Sequence, residues 1–124
     1  MLALVLDDSR AMRAILTRTL DGLGYEVETA GDGAEGLALL ERGPLPDVAL
    51  IDWNMPVMDG LEFVNAVRNN KQWRGITLMM VTMESEHSQI VRALAAGAHE
   101  YLMKPFTVDA IGDKLRMLGL ELER

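Results

Sequence analysis

Three acidic residues follow two apolar runs of the sequence, and their type and placement suit metal or phosphoryl chemistry. Leu2–Leu6 is followed at once by Asp7 and Asp8, and Val48–Ile51 is followed by Asp52. A short apolar run that ends at polar residues is typical of a strand buried on both faces of a sheet. Each acid therefore lies just past the carboxyl end of a predicted strand. We take the Asp52 carboxylate as the candidate nucleophile.

Two later predicted strands also end at polar side chains. Thr82 follows Ile76–Val81, and Lys104 follows Glu100–Met103. The carboxyl ends of parallel strands share one edge of a sheet, and open α/β proteins bind their ligands at that edge. With the strand order 2-1-3-4-5, the first and third strands are neighbours, so the three acids meet at the switch point of the sheet. The sequence thus predicts one polar site built from four strand ends.

Predicted helices alternate with these strands and hold them in place. A second, more exposed strand covers Tyr25–Ala30. Five helices are predicted: after the N-cap Ser9, after Asp32 and Gly33, from about Asp59 or Gly60, from about Ser85 to Ala96, and over an amphipathic stretch marked by Val108, Ile111, Leu115, Leu118 and Leu122. Right-handed crossovers between parallel strands leave few alternative topologies. We therefore predict an α/β fold, a doubly wound five-stranded parallel sheet with five helices, as one domain over residues 1–124.

The bulk composition excludes several classes of protein. A chain of 124 residues with 49% hydrophobic and 25% charged residues is typical of one globular domain. The net charge of -7 argues against nucleic acid or an anionic membrane as a direct partner, since both need clustered basic residues. The absence of cysteine excludes disulfides and thiolate chemistry. No apolar run has the length of a signal sequence or membrane span, so we expect a cytoplasmic protein.

The acidic cluster itself favours a divalent cation. Three carboxylates at one edge repel each other, so they need a cation or a bound proton. Mg²⁺, or Mn²⁺ with similar ligand preference, suits carboxylate and carbonyl oxygens. We expect Asp8 and Asp52 as direct ligands, Asp7 as a ligand through water and the backbone carbonyl of Asn54 as a further ligand. A carboxylate can then attack phosphorus, while Lys104 and the metal offset the charge of the phosphoryl oxygens.

The order of these residues resembles that of the CheY-like receiver domains of two-component response regulators. The resemblance runs the full length of the chain. It rests on the following positions: Asp7-Asp8, Asp52 with Met55-Pro56 and Asp59-Gly60, Thr82, Ala96-Gly97-Ala98, Tyr101, and Lys104-Pro105-Phe106. It implies the flavodoxin-like fold with strand order 2-1-3-4-5, and a phosphoprotein of signal transduction, of the chemotaxis or phosphorelay type.

The resemblance also implies a mechanism. A sensor histidine kinase or phosphotransfer protein supplies the phosphoryl group to Asp52, and the chain catalyses only its own phosphorylation and slow dephosphorylation. Thr82 then moves toward the phosphate, Tyr101 moves inward behind it, and the Lys104–Pro105 peptide bond is cis. The output is a change in the face of the fourth helix, fifth strand and fifth helix, which binds a downstream protein.

Three positions near the predicted site are expected to tune the lifetime of the phosphoryl group. Met83 follows Thr82 where family members more often carry a small residue, so we expect slower access of phosphatases and small phosphodonors to Asp52. Asn54 and Glu84 occupy positions that tune this lifetime in the family. Their polarity resembles that of chemotaxis regulators with short-lived phosphorylation.

Other interpretations stay open on the sequence. The chain also fits an excised receiver of a longer DNA-binding or enzymatic regulator. An aspartyl-phosphate phosphatase or transferase shares the Asp, Thr, Lys and Mg²⁺, but it carries a further acid pair after the Lys, whereas Asp109 and Asp113 here lie on a predicted helix. Flavin binding is disfavoured because an acidic loop repels the cofactor phosphate. On the residues alone, Thr82 also fits a turn cap and Tyr101 an ordinary half-buried aromatic.

Aromatic and histidine residues outside the site have simpler interpretations. Trp53 and Trp73 lie in predicted loops and are candidates for partner contacts. His87 and His99 are predicted to be solvated surface residues.

Overall fold

The computed structural model describes residues 1–83 and 87–120. The strands are β1 (Leu2–Leu6), β2 (Glu26–Ala30), β3 (Val48–Ile51), β4 (Thr77–Thr82) and β5 (Glu100–Met103). The helices are α1 (Arg10–Gly22), α2 (Gly33–Arg42), α3 (Gly60–Arg68), α4 (His87–Ala96) and α5 (Val108–Met117), and a short 3-10 turn covers Lys71–Trp73. The predicted helix start at Ser85, and the predicted apolar contact of Leu122, lie outside the described residues.

The five strands form one parallel sheet in the order β2-β1-β3-β4-β5, which confirms the predicted fold class. The register explains why the acids converge. Leu6, the last residue of β1, pairs with Ile51, the last residue of β3. Asp7 follows Leu6 and Asp52 follows Ile51, so the two acids lie side by side at the end of the sheet. The Asp52 N–H extends this pairing by donating to the Leu6 carbonyl oxygen over 2.9 Å.

Side chains of alternate strand residues fill two apolar layers, one on each face of the sheet. Leu6 and Ile51 belong to the layer under α2, α3 and α4, whereas Val5 and Leu50 belong to the layer under α1 and α5. This alternation follows from the two-residue period of a strand. Because helices cover both faces, the central strands are continuous apolar runs and not alternating ones. No helix within the described residues is long and apolar enough to cross a membrane.

Three predicted side-chain environments are wrong. Trp53 is 6% exposed and Trp73 is 9% exposed, so both belong to the core and are not available for partner contacts. Trp53 follows β3 and Trp73 ends the 3-10 turn, and both side chains belong to the apolar layer under α2, α3 and α4. Val108 is the reverse case, because it is the first residue of α5 and is largely exposed. The described part of α5 instead buries Ile111 and Leu115.

His99 is exposed, as predicted, but its ring is not simply solvated. The Nδ1 atom accepts a hydrogen bond from the Leu78 N–H over 3.1 Å and lies 3.2 Å from Nη2 of Arg68. The Arg68 guanidinium also donates to the carbonyl oxygens of Gly97 and Ile76, each over 3.0 Å. These bonds tie the starts of β4 and β5 to the end of α3. The bond from the Leu78 N–H requires an unprotonated Nδ1.

The His99 contacts predict a pH dependence of stability. Burial, and then the nearby Arg68 charge, lower the pKa of His99 below its usual value of about 6.5. A lowered pKa means that the contribution to stability is complete above about pH 6.5 and is lost as the pH falls through the folded-state value. We expect a loss of about 0.5 kcal/mol, because solvent screens an exposed ring. Urea unfolding between pH 7.5 and 5 should show this slope in wild type and in His87→Ala, but not in His99→Ala.

Candidate functional site

Three carboxylates meet at the carboxyl edge of the sheet, where β1 and β3 lie side by side. Oxygen atoms of Asp7, Asp8 and Asp52 all lie within 4.8 Å of one another. Asp7 and Asp52 are buried, whereas Asp8 is exposed. A buried pair of like charges is unfavourable unless a cation or hydrogen bonds compensate for it. The arrangement therefore needs positive charge nearby.

Lys104 supplies one such charge from the end of β5. Its Nζ atom lies 2.6 Å from Oδ2 of Asp7 and 3.5 Å from Oδ2 of Asp52. The three side chains are 10%, 1% and 11% exposed respectively, so solvent screens their attraction only weakly. Lys104 and Asp7 are 97 positions apart in the chain. The peptide bond that follows Lys104, to Pro105, is cis.

Asp7 is held by one further bond to its carboxylate and one to its backbone carbonyl. Its Oδ1 accepts from the Ser9 N–H over 2.9 Å, while its Oδ2 accepts from Lys104. Arg13, one turn into α1, donates from Nη1 to the Asp7 backbone carbonyl over 2.7 Å. The roles of Ser9 and Arg13 at the site were not predicted, and only their closeness to Asp7 in the chain pointed to them. Asp7 is thus fixed, and Asp8 faces solvent beside it.

Thr82 is the last residue of β4, and its side chain is fully buried beside Asp52. The hydroxyl oxygen accepts a long hydrogen bond of 3.4 Å from the Trp53 N–H, and the hydroxyl also bonds to the Asp52 carboxylate. Burial raises the pKa of Asp52, with a smaller contribution in the same direction from the charge of Asp7. The bonds from Thr82 and the charge of Lys104 oppose this rise. Asp52 is therefore a more basic carboxylate than one in water.

The backbone after Asp52 is held against the start of α3. The Gly60 N–H donates to the Trp53 carbonyl oxygen over 2.8 Å. A Cβ atom at Gly60 would lie only 2.3 Å from the Asp52 carbonyl oxygen. Asp59 caps α3 and forms a reciprocal capping box with Glu62. The sequence pattern predicted the helix start at Asp59-Gly60, but not that Gly60 permits this close approach.

An open cavity of about 400 Å³ surrounds the carboxylates. Its lining comprises Asp7, Asp8, Ser9, Met12, Asp52, Asn54, Met83 and Lys104. Met83 lies at the cavity with 73% of its surface exposed. Tyr101 is in β5, half-buried against the apolar layer under α2, α3 and α4, and does not line the cavity. Glu84 lies outside the described residues, so its predicted tuning role has no structural description.

The donor set of the cavity fits a hard divalent cation. All three acids offer oxygen, and Asp8 is turned to solvent where an ion can arrive with part of its hydration shell. Asn54 lines the same cavity. The chain has no cysteine, so no thiolate is present to bind a soft metal. The fold and this site together define a doubly wound α/β domain with an acidic pocket, suited to a metal ion, at the switch point of its sheet.

Comparisons with known proteins agree with this class. The sequence model of the response regulator receiver domain family matches residues 3–116. Chemotaxis protein CheY1 of Helicobacter pylori is 40% identical over 116 residues, which cover 93% of this chain and 94% of that protein. The chemotaxis protein CheY homolog of Campylobacter jejuni is 42% identical over 113 residues, 90% of this chain and 87% of that protein. The structure of Vibrio cholerae chemotaxis protein CheY4 superposes with a TM-score of 0.87 at 40% identity, and the match covers 94% and 96% of the two chains.

The chain belongs to the response regulator receiver domain family. The predicted resemblance is thereby confirmed, and the protein is a two-component signalling receiver homologous to chemotaxis CheY proteins. The phosphatase and flavin interpretations gain no support from these matches. Receiver domains generally bind Mg²⁺ at an acidic pocket, and the Asp7, Asp8 and Asp52 cluster has that character.

Proposed function

We propose that this receiver accepts a phosphoryl group on Asp52 from a phosphohistidine of a sensor kinase or phosphotransfer protein. The observation that carries the proposal is the position of the Asp52 carboxylate, which is buried at the switch point beside the acids that follow β1 and lies 3.5 Å from the Lys104 ammonium. Asp7 and Asp8 after β1, Asp52 after β3, Thr82 at the end of β4 and Lys104 after β5 lie together at this edge, and their contacts support the proposal. The resulting signal is a change of protein surface, and no reaction on another substrate is proposed.

The transfer exchanges one bond to phosphorus for another. An Oδ atom of Asp52 forms the new O–P bond while the N–P bond of the donor histidine breaks. The donor nitrogen keeps the electron pair and takes up a proton. The basic character that burial confers on Asp52 favours its attack. The Asp52 group needs little movement, because Thr82 and the loop to Gly60 hold it in place.

Positive charge and hydrogen bonds then stabilise the transferred group. Lys104, which already lies between Asp7 and Asp52, is placed to pair with a phosphoryl oxygen. The Thr82 hydroxyl is placed to donate to another. A bound Mg²⁺ or Mn²⁺, held by Asp8, Asp52 and the Asn54 carbonyl and through water by Asp7, would add charge that neutralises the phosphoryl oxygens.

Intact mass after incubation with acetyl phosphate and MgCl₂ tests the acceptor. We expect the wild type to gain one phosphoryl group and Asp52→Ala to gain none. Asp109→Ala, which changes an acid in the first turn of α5, is the matched control and should gain the group. Phosphorylation that persists in Asp52→Ala would contradict the assignment of the acceptor.

Magnesium should stabilise the folded protein through the acidic cluster. A ligand that binds only the folded state raises the free energy of unfolding by about 2.7 kcal/mol at one hundred times its dissociation constant. We expect urea unfolding of wild type and Asp109→Asn to show this gain, and Asp8→Asn to lose most of it. Equal stabilisation of Asp8→Asn would argue against Asp8 as a metal ligand.

The output surface is proposed to be the face of α4, β5 and α5. β5 is an edge strand whose side chains are only partly buried, and Tyr101 lies within it. Exposed apolar side chains on this part of the molecule include Val91, Leu94 and Met103. Phosphorylation would shift the population of two arrangements of this face through Thr82 and Tyr101, and so change the affinity for a downstream protein.

Met83 is proposed to restrict small molecules at the cavity. It lies on the cavity lining and remains largely exposed, so a flexible side chain covers part of the approach to Asp52. We expect Met83→Ala to accelerate phosphorylation by acetyl phosphate about threefold, a small effect because the cavity is open. Mass-resolved rates of phosphorylation and dephosphorylation measure it. Rates equal to those of the wild type would refute this role.

A further inference from the structure

The Asp8 carboxylate has the least side-chain support of the three acids at the site. Asp7 and Asp52 are buried, and their carboxylates accept hydrogen bonds. Asp8 is exposed, and its side chain forms no hydrogen bond or ion pair within residues 1–83 and 87–120. Its oxygen nevertheless lies within 4.8 Å of oxygens of both other acids. Because an aspartate side chain is short, the backbone that carries Asp8 must determine where its oxygens lie.

The backbone between Asp7 and Asp8 is held by Arg13 of α1. Nη1 of Arg13 donates to the Asp7 carbonyl oxygen over 2.7 Å, and this oxygen belongs to the peptide plane that joins the two acids. The plane cannot rotate without breaking that bond. Arg13 is half-buried and lies in a capped helix, since the Ser9 side chain accepts from the Met12 N–H at the start of α1. The donor therefore has a fixed position.

The other bonds of Asp7 do not restrain this peptide plane. The Asp7 N–H donates to the Ala30 carbonyl oxygen over 3.1 Å, which extends the pairing of β1 with β2. The Asp7 carboxylate accepts from the Ser9 N–H and from Lys104. Within the described part of the chain, the bond from Arg13 is the one hydrogen bond to the Asp7 carbonyl oxygen. The orientation of the following residue, Asp8, thus depends on Arg13.

We propose that Arg13 is a positioning residue for the metal site, which fixes the Asp7–Asp8 peptide and so places the Asp8 carboxylate at the acidic cavity. Mg²⁺ requires near-ideal octahedral geometry, so a displaced ligand weakens its binding. Residues that orient metal ligands typically contribute about 10- to 100-fold to metal affinity. This inference rests on the proposed function, in which the acidic cluster holds a divalent cation.

The position of Arg13 and its charge predict opposite effects on metal binding. A guanidinium near the acids repels a cation, so the loss of its charge alone should tighten binding. Loss of the bond to Asp7 should weaken it. We expect Arg13→Met to raise the Kd for Mn²⁺ about tenfold, because the positioning effect exceeds the charge effect. Electron paramagnetic resonance of free Mn²⁺ measures this Kd without any phosphorylation step.

Arg10→Met is the matched control for charge. Arg10 lies in the first turn of α1, is exposed, and forms no hydrogen bond or ion pair with another described residue. Its replacement removes the same charge from the same helix but leaves the Asp7 carbonyl bond intact. The Kd of Arg10→Met for Mn²⁺ should therefore equal that of the wild type or lie slightly below it.

A double-mutant cycle tests whether Arg13 acts through Asp8. In an Asp8→Asn background, Arg13→Met should cause no further loss of Mn²⁺ affinity, because the ligand that Arg13 positions is already absent. A tenfold loss that persists in this background would overturn the proposed route. Binding by Arg13→Met as tight as that of the wild type, or tighter, would overturn the positioning role itself. Failure of the wild type to bind Mn²⁺ would instead refute the metal site of the proposed function.

Discussion

Gly60→Ala is expected to destabilise the protein by about 3 kcal/mol, the upper part of the range for overpacked cores. The new Cβ would lie 2.3 Å from the carbonyl oxygen of Asp52 and 3.0 Å from both the carbonyl carbon of Asp52 and Cα of Trp53. All three contacts are with backbone atoms, which cannot rotate aside as a flexible side chain does. The helix start and the Asp52 segment must therefore move apart, and the 2.8 Å bond from the Gly60 N–H to Trp53 must lengthen.

The same displacement should impair phosphorylation. Asp52 would move relative to Thr82 and Lys104, and a shift of about 1 Å at a reacting group lowers rates by about 10²-fold. Urea unfolding and mass-resolved phosphorylation measure the two effects. The matched control is Gly22→Ala at the end of α1, where a Cβ meets nothing within 4 Å. Alanine there should be neutral or stabilising by up to about 1 kcal/mol. A Gly60→Ala variant as stable as Gly22→Ala would contradict the close packing.

Lys104→Met is expected to destabilise the protein by about 3 kcal/mol at pH 7, because it removes the buried cation shared by Asp7 and Asp52. The opposing charge of Lys104 holds the pKa of Asp52 down, so its removal raises that pKa further. A carboxyl with a raised folded-state pKa contributes stability below its ordinary value of about 3.9, and the contribution is lost as the pH rises through the folded-state value. The deficit of the variant should therefore shrink as the pH falls from 7 toward 4.

Phosphoryl transfer to Asp52 should fall by about 10²-fold in Lys104→Met, as when one preorganised donor to a developing charge is removed. Lys114→Met is the control for stability. Lys114 also forms an ion pair, at 3.0 Å from Glu100, but these side chains are more exposed. Such a pair contributes at most about 1 kcal/mol. If Lys104→Met lost no more stability than Lys114→Met, the buried acids would not depend on Lys104. A loss of stability that did not change with pH would lead to the same conclusion.

Much of the site was predictable because neighbouring residues in the sequence mark where each strand ends. A buried parallel strand is an apolar run, so the polar residue after it marks the carboxyl edge of the sheet, as Asp7, Asp52 and Lys104 do. The strand order then places these ends together. The caps Ser9 and Asp59 were also visible in the sequence, since capping depends on residues within one turn.

The environments that were not predictable depend on groups distant in the chain. The sequence predicts Trp53 and Trp73 as loop residues, but both side chains are packed in the apolar layer under α2, α3 and α4. The sequence predicts His99 as a solvated surface residue, but its ring contacts Arg68 and the Leu78 N–H. Neither neighbour lies near it in sequence, so no local pattern indicates the contact.

The sequence by itself determined the α/β class, the family and which side chains gather at the switch point, because strand periodicity and strand-end polarity are local properties. The tertiary structure alone decided how those side chains act together. It placed the Lys104 ammonium beside two acids and set the Asp52 carbonyl against Gly60. Both arrangements depend on distances of a few ångströms between segments that come together only in the folded chain, and packing, not residue type, sets such distances.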